Sequence, residues 1–370
     1  MSLSIGIVGL PNVGKSTLFN ALVKSARAEV RNFPFTTIDP NVGVVPVPDE
    51  RLTKITKIEN SQTTVPTTIE FFDIAGLIRG AHKGEGLGNK FLSHIREVDA
   101  ICLVVRAFEK SDTIHVEGRV DPRRDIETLI TELALADLQT LSKIKERLLS
   151  SSKSVDKEGE QARAALALIQ KIEPFLNNNK LINLNDFDKK EQAIVKESLP
   201  LLLVKPILVV FNVDENDAGL NSEDIHEKYK LSDILSVDIP TIAISAKIES
   251  EIAALPESEK QEYLQTIGLK EPGLDRLARE AYKLLDLITF FTAGPNESRA
   301  WTIIKGDSAY DAAGKIHTDF QKKFIRAEVI SYDDFIEQDG WRRSADAGKM
   351  RLEGRDYIVK DADVVFFRHG

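Results

Sequence analysis

The chain has 370 residues, of which 42% are hydrophobic and 29% are charged, as in soluble globular proteins of two or three domains. A net charge of −9 argues against non-specific coating of nucleic acid, because phosphate binding needs clustered Lys and Arg. The sequence has no signal-peptide pattern and no run near the roughly 20 apolar residues of a membrane helix. We therefore expect a cytoplasmic protein without membrane contact, in which the single cysteine, Cys102, is buried in an apolar run.

Three segments of different character follow one another along the chain. Five short runs rich in β-branched and aromatic residues predict parallel strands: LSIGIVGL, TTIEFFDIAG, AICLVVRAF, KPILVVFNV and PTIAISAK. Apolar residues at three- and four-residue spacing predict a helical hairpin between the third and fourth runs. The sequence thus predicts an α/β nucleotide-binding domain with a mainly parallel sheet over 1–120 and 205–281. A helical, coiled-coil insertion is expected over 121–204, and a small α+β module over 282–370.

The first chemical motif is GLPNVGKS, Gly9 to Ser16, which matches G-x-x-x-x-G-K-[ST] between a predicted strand and a predicted helix. In such a loop, backbone N–H groups surround phosphates and Lys15 adds positive charge at the β/γ oxygens. The Ser16 hydroxyl is expected to bind Mg²⁺. The predicted phosphate-binding residues are Asn12, Val13, Gly14, Lys15, Ser16 and Thr17.

A second motif, DIAG, ends the next strongly apolar run. Asp73 is expected to hold a Mg²⁺-bound water, and the N–H of Gly76 is expected to reach a γ-phosphate. The intervening segment NFPFTTIDP offers Thr36 or Thr37 as a further metal ligand, and Thr37 is favoured. The predicted metal site therefore consists of Ser16, Thr37 and Asp73.

Two loops at the ends of the last two predicted strands are expected to cradle the base. They are NVDE, residues 212–215, and SAK, residues 245–247. The base-site residues predicted from them are Asn212, Val213, Glu215, Ser245, Ala246 and Lys247. Together with the two preceding motifs, they stand in the order expected of a nucleotide-dependent switch.

With these motifs in place, the sequence resembles the YchF family, the Obg-like ATPases, within the Obg branch of the translation-factor class of P-loop proteins. The likeness extends over almost the whole chain and includes GLPNVGKSTLFNAL, DIAGLIRGAHKGEGLGNKFL and FFTAGPNESRAWTI. It implies a nucleotide-binding domain, a coiled-coil insertion and a C-terminal TGS domain of the β-grasp type. It also implies binding to the ribosome, with the large subunit favoured, through the insertion and the TGS domain. The chain departs from the pattern at Ala362, where relatives tend to have Gly.

The base loop predicts a preference for ATP. In guanine readers, the Asp of Asn-Lys-x-Asp accepts hydrogen bonds from two donors that adenine lacks. Glu215 moves that carboxylate by one methylene, and Val213 replaces the Lys whose stem would cover the base. Losing a bidentate contact removes about 1–3 kcal/mol of guanine preference, while Asn212 can still pair with the N7/N6 edge of adenine. Asp214, beside Glu215, leaves open which carboxylate faces the base.

The group that orients the attacking water is less well specified. Leu77 occupies the position at which Ras-like enzymes have Gln, so another side chain must do this work. The resemblance implies His115, although a surface histidine without a catalytic role fits its loop equally well, and His82 is a weaker candidate. The predicted catalytic set is His115, Lys15 and Gly76. Asn12 fits either a K⁺ site, as in potassium-stimulated relatives, or simple support of the turn.

Four glycines, at 80, 84, 86 and 88, predict a loop that γ-phosphate and Mg²⁺ order. We therefore expect slow intrinsic hydrolysis that a partner accelerates, in a regulatory Mg²⁺-dependent ATPase that alternates between ATP and ADP. A GTP-dependent Obg-type factor is the alternative. A small-molecule kinase is disfavoured, because the dense Arg pairs lie outside the nucleotide-binding domain. Basic and aromatic residues within 282–370 fit a local RNA contact or a solvated surface.

Overall fold

The computed structural model describes residues 3–29, 41–74, 87–109 and 120–370, without the side chains of 27–29 and 87–90. These residues form two compact units. The first comprises Met1–Gly43 with Glu70–Arg276, and the second comprises Val44–Ile69 with Leu277–Gly370. Within the described ranges, no helix has the length and apolar character needed to span a bilayer.

The secondary structure of the described residues is as follows. The strands are β1 Ser4–Val8, β2 Val42–Pro46, β3 Thr63–Val65, β4 Thr68–Asp73, β5 Ala100–Ala107, β6 Ile207–Val213, β7 Thr241–Ile244, β8 Leu287–Thr292, β9 Glu297–Ile304, β10 Phe324–Ile330, β11 Arg351–Glu353 and β12 Val364–His369. The helices are α1 Lys15–Glu29, α2 Glu50–Glu59, α3 Leu87–Glu97, α4 Pro122–Ser151, α5 Lys157–Asn177, α6 Lys189–Ser198, α7 Ser222–Tyr229, α8 Ala246–Ile252, α9 Glu257–Thr266, α10 Gly273–Leu284, α11 Ala309–Ile316, α12 Thr318–Lys322, α13 Tyr332–Glu337 and α14 Trp341–Asp346.

The five apolar runs form strands of one six-stranded sheet, in the order β2-β4-β1-β5-β6-β7. β1 pairs in parallel with β4 and β5, and β6 pairs in parallel with β5 and β7. Every residue of β1 and β6 is buried, as expected where helices cover both faces of a parallel sheet. The predicted α/β fold with a mainly parallel sheet is confirmed. Since parallel strands run in the same direction, the carboxyl ends of β1, β4, β5, β6 and β7 lie at one edge of the sheet.

The residues between β5 and β6 form the predicted helical hairpin. Asp121 caps α4 through the backbone N–H of Arg124, and a proline occupies the first turn. Asp156 caps α5 by accepting from the N–H of Gly159 at 2.9 Å. The predicted apolar stripes are mostly buried, and their buried members include Ile126, Ile130, Leu133, Leu141, Ile169, Ile172 and Leu176. Since α4 packs against both α5 and β5, the stripes serve packing of the hairpin helices against each other and of α4 against the sheet.

Cys102 lies in the centre of β5 and is fully buried. Burial raises the pKa of its thiol, because the low-dielectric interior disfavours the thiolate. The prediction of a buried cysteine is confirmed, and such a thiol behaves as a small hydrophobic side chain.

The second unit contains another six-stranded sheet, in the order β11-β10-β12-β8-β9-β3. One cluster of buried side chains on it includes Phe290, Ala327 and Phe367. A second cluster includes Ile55 of α2 and Phe335 of α13. Ala362 has a φ of +68°, in the left-handed region that favours glycine, so a glycine would fit this position without strain.

The second unit differs from the predicted domain division at two places, since its C-terminal part begins at Leu277 rather than at 282 and it also contains an earlier segment. Residues 44–69 belong to it, whereas the sequence analysis placed them in the nucleotide-binding domain. The cause is the pairing of β3 with β9, in which Thr63 lies beside Glu297. A three-residue strand whose partner lies far along the chain has no local periodicity that would reveal its place.

Candidate nucleotide-binding site

The loop between β1 and α1 has a backbone that two glycines make possible. Gly14 has a φ of +94°, and a Cβ added there would lie 2.2 Å from Nδ2 of Asn212. A Cβ on Gly9 would lie 2.3 Å from the carbonyl oxygen of Val104. Asn12 also has a positive φ, +63°, which asparagine tolerates. The G-x-x-x-x-G-K-S spacing is thus a steric requirement of the loop.

Lys15 begins α1 and is buried, with 8% of its surface exposed. Its Nζ donates to the carbonyl oxygens of Gly9, at 3.0 Å, and Leu10, at 2.8 Å. Burial lowers the pKa of Lys15 to about 8, and the charge of Asp73 partly opposes this shift. The ammonium group is therefore inside the loop, where it can exchange backbone carbonyls for phosphate oxygens.

Asp73 ends β4 and lies beside Ile7 in the register of β1 and β4. Burial raises the pKa of its carboxyl group, and the positive charge of Lys15 partly opposes the rise. The strand register and this electrostatic coupling place a carboxylate next to the phosphate-binding loop. Ser16, the residue after Lys15, has an exposed side chain.

The donor set suits Mg²⁺, which prefers oxygen ligands and in nucleotide sites is commonly held by one or two carboxylates, substrate phosphates and water. Ser16 and Asp73 supply a hydroxyl and a carboxylate. Across the described parts of the chain, no three or more His, Cys, Asp or Glu side chains form a group that could hold a metal ion. With a nucleotide bound, substrate phosphates and water would supply further oxygen ligands.

Asn212, at the end of β6, connects three loops. Its side chain is 6% exposed, and its Nδ2 donates to the carbonyl oxygen of Val13 at 2.9 Å. Its Oδ1 accepts from the backbone N–H of Ala246 at 3.0 Å. The amide predicted to face the base thus also joins the phosphate loop to the SAK loop.

The remaining residues of the base loop differ in exposure. Val213 is 2% exposed, so its side chain belongs to the core. Asp214 accepts from the backbone N–H of Glu109 at 3.0 Å through Oδ2. Glu215 is about half exposed and forms an ion pair with Lys247 of the SAK loop. The two neighbouring carboxylates therefore have different partners, one in the loop after β5 and the other in the SAK loop.

Arg106 and Phe108, at the end of β5, are two residues that sequence reasoning missed. The Arg106 side chain is 2% exposed. Its guanidinium lies 4.5 Å from the centre of the Phe108 ring, and its Nε donates to the Phe108 carbonyl oxygen at 3.2 Å. The Phe108 ring also comes within 4.0 Å of the position of a Cβ on Gly14. The sequence signal that could have identified them is Arg106 itself, a charged residue in the otherwise apolar run AICLVVRAF.

Several predicted residues lie outside the described ranges. They are Thr36, Thr37, Gly76, Leu77, His82, His115 and the glycines at 80, 84 and 86. Gly88, assigned to the same glycine-rich loop, is the second residue of α3. The structure brings together Val13, Gly14, Lys15, Asp73, Asn212 and Ala246, and links Glu215 to Lys247.

Comparison with known proteins identifies the family. Two family models match: one described as "50S ribosome-binding GTPase" over residues 4–143, and YchF-GTPase_C, described as "Protein of unknown function (DUF933)", over residues 287–370. The "Ribosome-binding ATPase YchF" of Haemophilus ducreyi is 51% identical, in an alignment that covers 100% of this chain and 99% of the Haemophilus protein. "Obg-like ATPase 1" of Rattus norvegicus is 42% identical, in an alignment that covers 99% of this chain and 92% of the rat protein.

A solved structure gives the same result. The YchF GTPase of Schizosaccharomyces pombe superimposes with a TM-score of 0.88 at 36% identity, covering 99% of this chain and 98% of its own. These matches confirm the resemblance found in the sequence, and this chain belongs to the YchF family of P-loop proteins.

Proposed function

We propose that this protein is a Mg²⁺-dependent ATPase switch that binds ATP in preference to GTP and works on the ribosome. The observation that carries the nucleotide preference is the ion pair between Glu215 and Lys247. A carboxylate that reads guanine must present both oxygens to two N–H donors. The Glu215 carboxylate is one methylene longer than the usual Asp, and a cation from the other base loop competes for it. Both features reduce the preference for guanine.

Adenine recognition would then depend on the remaining capacity of Asn212. Its Nδ2 has a second hydrogen beyond the one donated to Val13, and its Oδ1 has a second lone pair beyond the one used by Ala246. One amide donor and one acceptor can pair with the N7/N6 edge of adenine. Ser245, Ala246 and Lys247 would line the same side of the base.

The phosphates would occupy the loop of residues 9–16. Lys15, buried beside Asp73, would exchange its carbonyl partners for β- and γ-phosphate oxygens, and the backbone from Asn12 to Thr17 would face the same groups. Ser16, Asp73 and Thr37 would hold Mg²⁺, which neutralises charge on the phosphates.

Gly76 would contact the γ-phosphate, and His115 would orient the attacking water. The choice between K⁺ binding and turn support at Asn12 stays open, and its left-handed backbone supports the turn role.

We propose a slow intrinsic rate that a partner increases, because Leu77 cannot orient water. The relatives named as ribosome-binding ATPases support the ribosome as this partner, and the cytoplasm as its location. The large subunit is our favoured contact, which the match of residues 4–143 to the 50S ribosome-binding GTPase family supports. We propose that the C-terminal domain is a TGS domain. This domain and the helical insertion would provide the contacts with the ribosome.

One open sheet face in the second unit supports an RNA contact. Glu328 of β10 lies opposite Leu352 of β11 and Phe366 of β12, and Arg326 lies opposite Arg368. Leu352 is 60% exposed and Phe366 44% exposed. The Arg368 guanidinium lies 4.4 Å from the centre of the Phe366 ring.

Two arginines share the single carboxylate of Glu328 on this face, at 2.9 Å from Arg368 and 3.2 Å from Arg326. Like charges directly opposite each other destabilise a strand pair. A cationic face with an exposed ring and a guanidinium plane fits single-stranded RNA, which offers phosphates and unstacked bases. We call this set, Arg326, Leu352, Phe366 and Arg368, the open face.

The test is equilibrium binding of fluorescent ATP and GTP analogues to the wild type and to Glu215→Asp. Val213, the other base-loop residue that differs from guanine readers, is left unchanged. It is buried, so Val213→Lys would place a charge in the core. The matched control is Glu223→Asp, which shortens an exposed carboxylate in the first turn of α7. We expect the wild type to prefer ATP, Glu215→Asp to shift toward GTP by about tenfold, and the control to match the wild type. Tighter GTP binding by the wild type would instead support a GTP-dependent Obg-type switch.

A further inference from the structure

We propose that Glu249 is a positioning residue that fixes the SAK loop against Asn212 and thereby sets the affinity of the site for nucleotide. This inference rests on the proposed nucleotide site. Glu249 lies in α8, three residues after Ala246, and is 2% exposed. It was not among the residues that the sequence motifs identified.

The carboxylate of Glu249 holds the start of another helix. Its Oε1 accepts from the backbone N–H of Gly273 at 2.8 Å, and its Oε2 accepts from that of Leu274 at 3.4 Å. These N–H groups belong to the first turn of α10 and have no partner within that helix. A buried carboxylate at a helix N-terminus is favoured by both the hydrogen bonds and the helix dipole.

Close packing makes this connection stiff. A Cβ added to Gly273 would lie 3.0 Å from Oε1 of Glu249 and 3.2 Å from Cγ1 of Ile244. Arg276, one turn further along α10, donates through Nη2 to the carbonyl oxygens of Ala218 and Ala243, both at 2.9 Å. The first turn of α10 is therefore tied to the end of β7 and to α8 from two sides.

The N-terminus of α8, one turn before Glu249, forms part of the proposed base site. Ala246 is the first residue of α8, and its N–H donates to Oδ1 of Asn212. Ser245, which precedes the helix, makes no side-chain capping bond. Buried Ile248 and Ile252 pack this short helix into the core, and Glu249 adds the hydrogen bonds that join it to α10. A change at the carboxylate would move the Ala246 N–H, and with it the Asn212 amide that holds Val13.

The connection should respond to pH. Burial raises the pKa of Glu249 to about 7, opposed by the N–H groups of Gly273 and Leu274 and by Arg276, and reinforced by Asp275. The ionised carboxylate accepts both N–H groups, whereas the protonated form has a hydroxyl in place of one acceptor. The SAK loop should therefore be held more firmly at pH 8 than at pH 6.

The experiment compares the affinity of the full chain for ATP and GTP analogues between pH 6 and pH 8.5, in the wild type, Glu249→Ala and Glu249→Gln. A matched control exists in the helical insertion. Asp137 is also fully buried and accepts two backbone N–H groups, from Leu202 at 2.8 Å and Leu203 at 2.9 Å. Asp137→Ala therefore removes an equivalent carboxylate away from the base loops, and thermal unfolding shows whether each variant is folded.

We expect Glu249→Ala to weaken ATP binding by about tenfold at pH 8, while Asp137→Ala leaves it unchanged. Glu249→Gln should match the wild type at pH 6 and bind several-fold more weakly at pH 8, because an amide offers one acceptor at any pH. Other groups that titrate in this range affect both proteins equally, so the ratio of the two affinities isolates Glu249.

Two results would overturn the proposal: a folded Glu249→Ala with wild-type affinity, or a Glu249→Gln whose ratio to the wild type does not change with pH. If Glu249→Ala does not fold, the pH dependence of the Gln variant decides alone. Both nucleotides are measured. A wild type that prefers GTP would overturn the proposed ATP specificity, but the Glu249 variants could still be compared with the wild type through their affinity for GTP.

Discussion

Nδ2 of Asn212 donates to the carbonyl oxygen of Val13 at 2.9 Å, across 199 residues of sequence. The bond joins the loop predicted to read the base to the loop predicted to hold the phosphates. Asn212 is 6% exposed, so this contact is shielded from water, where a lost hydrogen bond is costly. The two halves of the site are thus mechanically connected by one amide.

The substitution Asn212→Asp tests this connection. The variant keeps the acceptor for the Ala246 N–H but directs a carboxylate oxygen at the Val13 carbonyl oxygen, so an attraction becomes a repulsion. We expect a loss of about 2 kcal/mol in unfolding free energy and at least tenfold weaker ATP binding, measured by urea unfolding and equilibrium titration. Asn221→Asp is the control. It makes the same chemical change at the N-cap of α7, where Asn and Asp cap equally well, so it should leave both properties unchanged. Wild-type ATP affinity in Asn212→Asp would contradict the connecting role.

The second prediction concerns the ionisation of Lys15. Burial lowers its pKa to about 8, so the ammonium form is lost as pH rises through 8, well below the ordinary lysine range. Phosphate binding needs the charged form. We therefore expect ATP affinity to fall by up to about tenfold between pH 7 and pH 9. Lys15→Met, which has no charge to lose, should bind weakly with little change over the same interval.

The effect of Lys15 on stability has the opposite sign to its effect on binding. Its pKa in the folded chain lies below the unfolded value of 10.5, so the unfolded chain binds more protons between pH 8 and pH 10.5. This group therefore favours folding increasingly as pH rises across that window. If Lys15→Met showed the same pH dependence of ATP binding as the wild type, another group would be responsible.

The sequence predicted the sheet and the strand–loop–helix arrangement of residues 4–29 well, because both depend on local patterns. Strands buried on both faces need continuous apolar runs, and the loop needs glycine where a Cβ would meet Asn212 or Val104. The place of residues 44–69 was not predictable in this way, since β3 gains its partner only when the chain folds.

Side-chain roles were harder to predict than strands. Asn212 was predicted from a base-loop motif, but no sequence pattern indicates that its amide also holds Val13. The burial of Val213 and the ion pair of Glu215 with Lys247 likewise depend on how two distant loops meet. Glu249 is a typical helix residue by sequence, and only the approach of α10 gives it a function. Contacts between segments far apart in sequence account for what was missed.

The third prediction uses Asp137, whose burial raises its pKa to about 6, against the opposing N–H groups of Leu203 and Leu202. Its folded pKa exceeds its unfolded value of 3.8, so its contribution to stability is fully present below pH 3.8 and is lost as pH rises through 6. Asp137→Asn removes this dependence. Relative to the wild type, the variant should gain about 1 kcal/mol of unfolding free energy between pH 5 and pH 7, measured by urea unfolding. A constant difference over that range would contradict the raised pKa.

The last prediction concerns the open face. Replacing Arg326 and Arg368 by Gln removes both guanidinium groups from the strand pair and leaves the Phe366 ring exposed. We expect about tenfold weaker binding to single-stranded RNA and to ribosomes, with a shallower dependence on salt, because fewer phosphates are neutralised. Filter binding and ribosome cosedimentation at several salt concentrations measure this effect. ATP binding should be unchanged.

The matched control is the double substitution of Arg342 and Arg343 by Gln in α14, which removes the same charge from exposed positions outside the open face. If both double variants lose RNA binding equally, net charge explains the effect and the open face has no special role. If ribosome binding is lost while RNA binding is kept, the face contacts ribosomal protein, and the RNA assignment is wrong. Loss confined to the Arg326 and Arg368 variant in both assays identifies the open face as the RNA contact, since the same charge removed from α14 then has no effect.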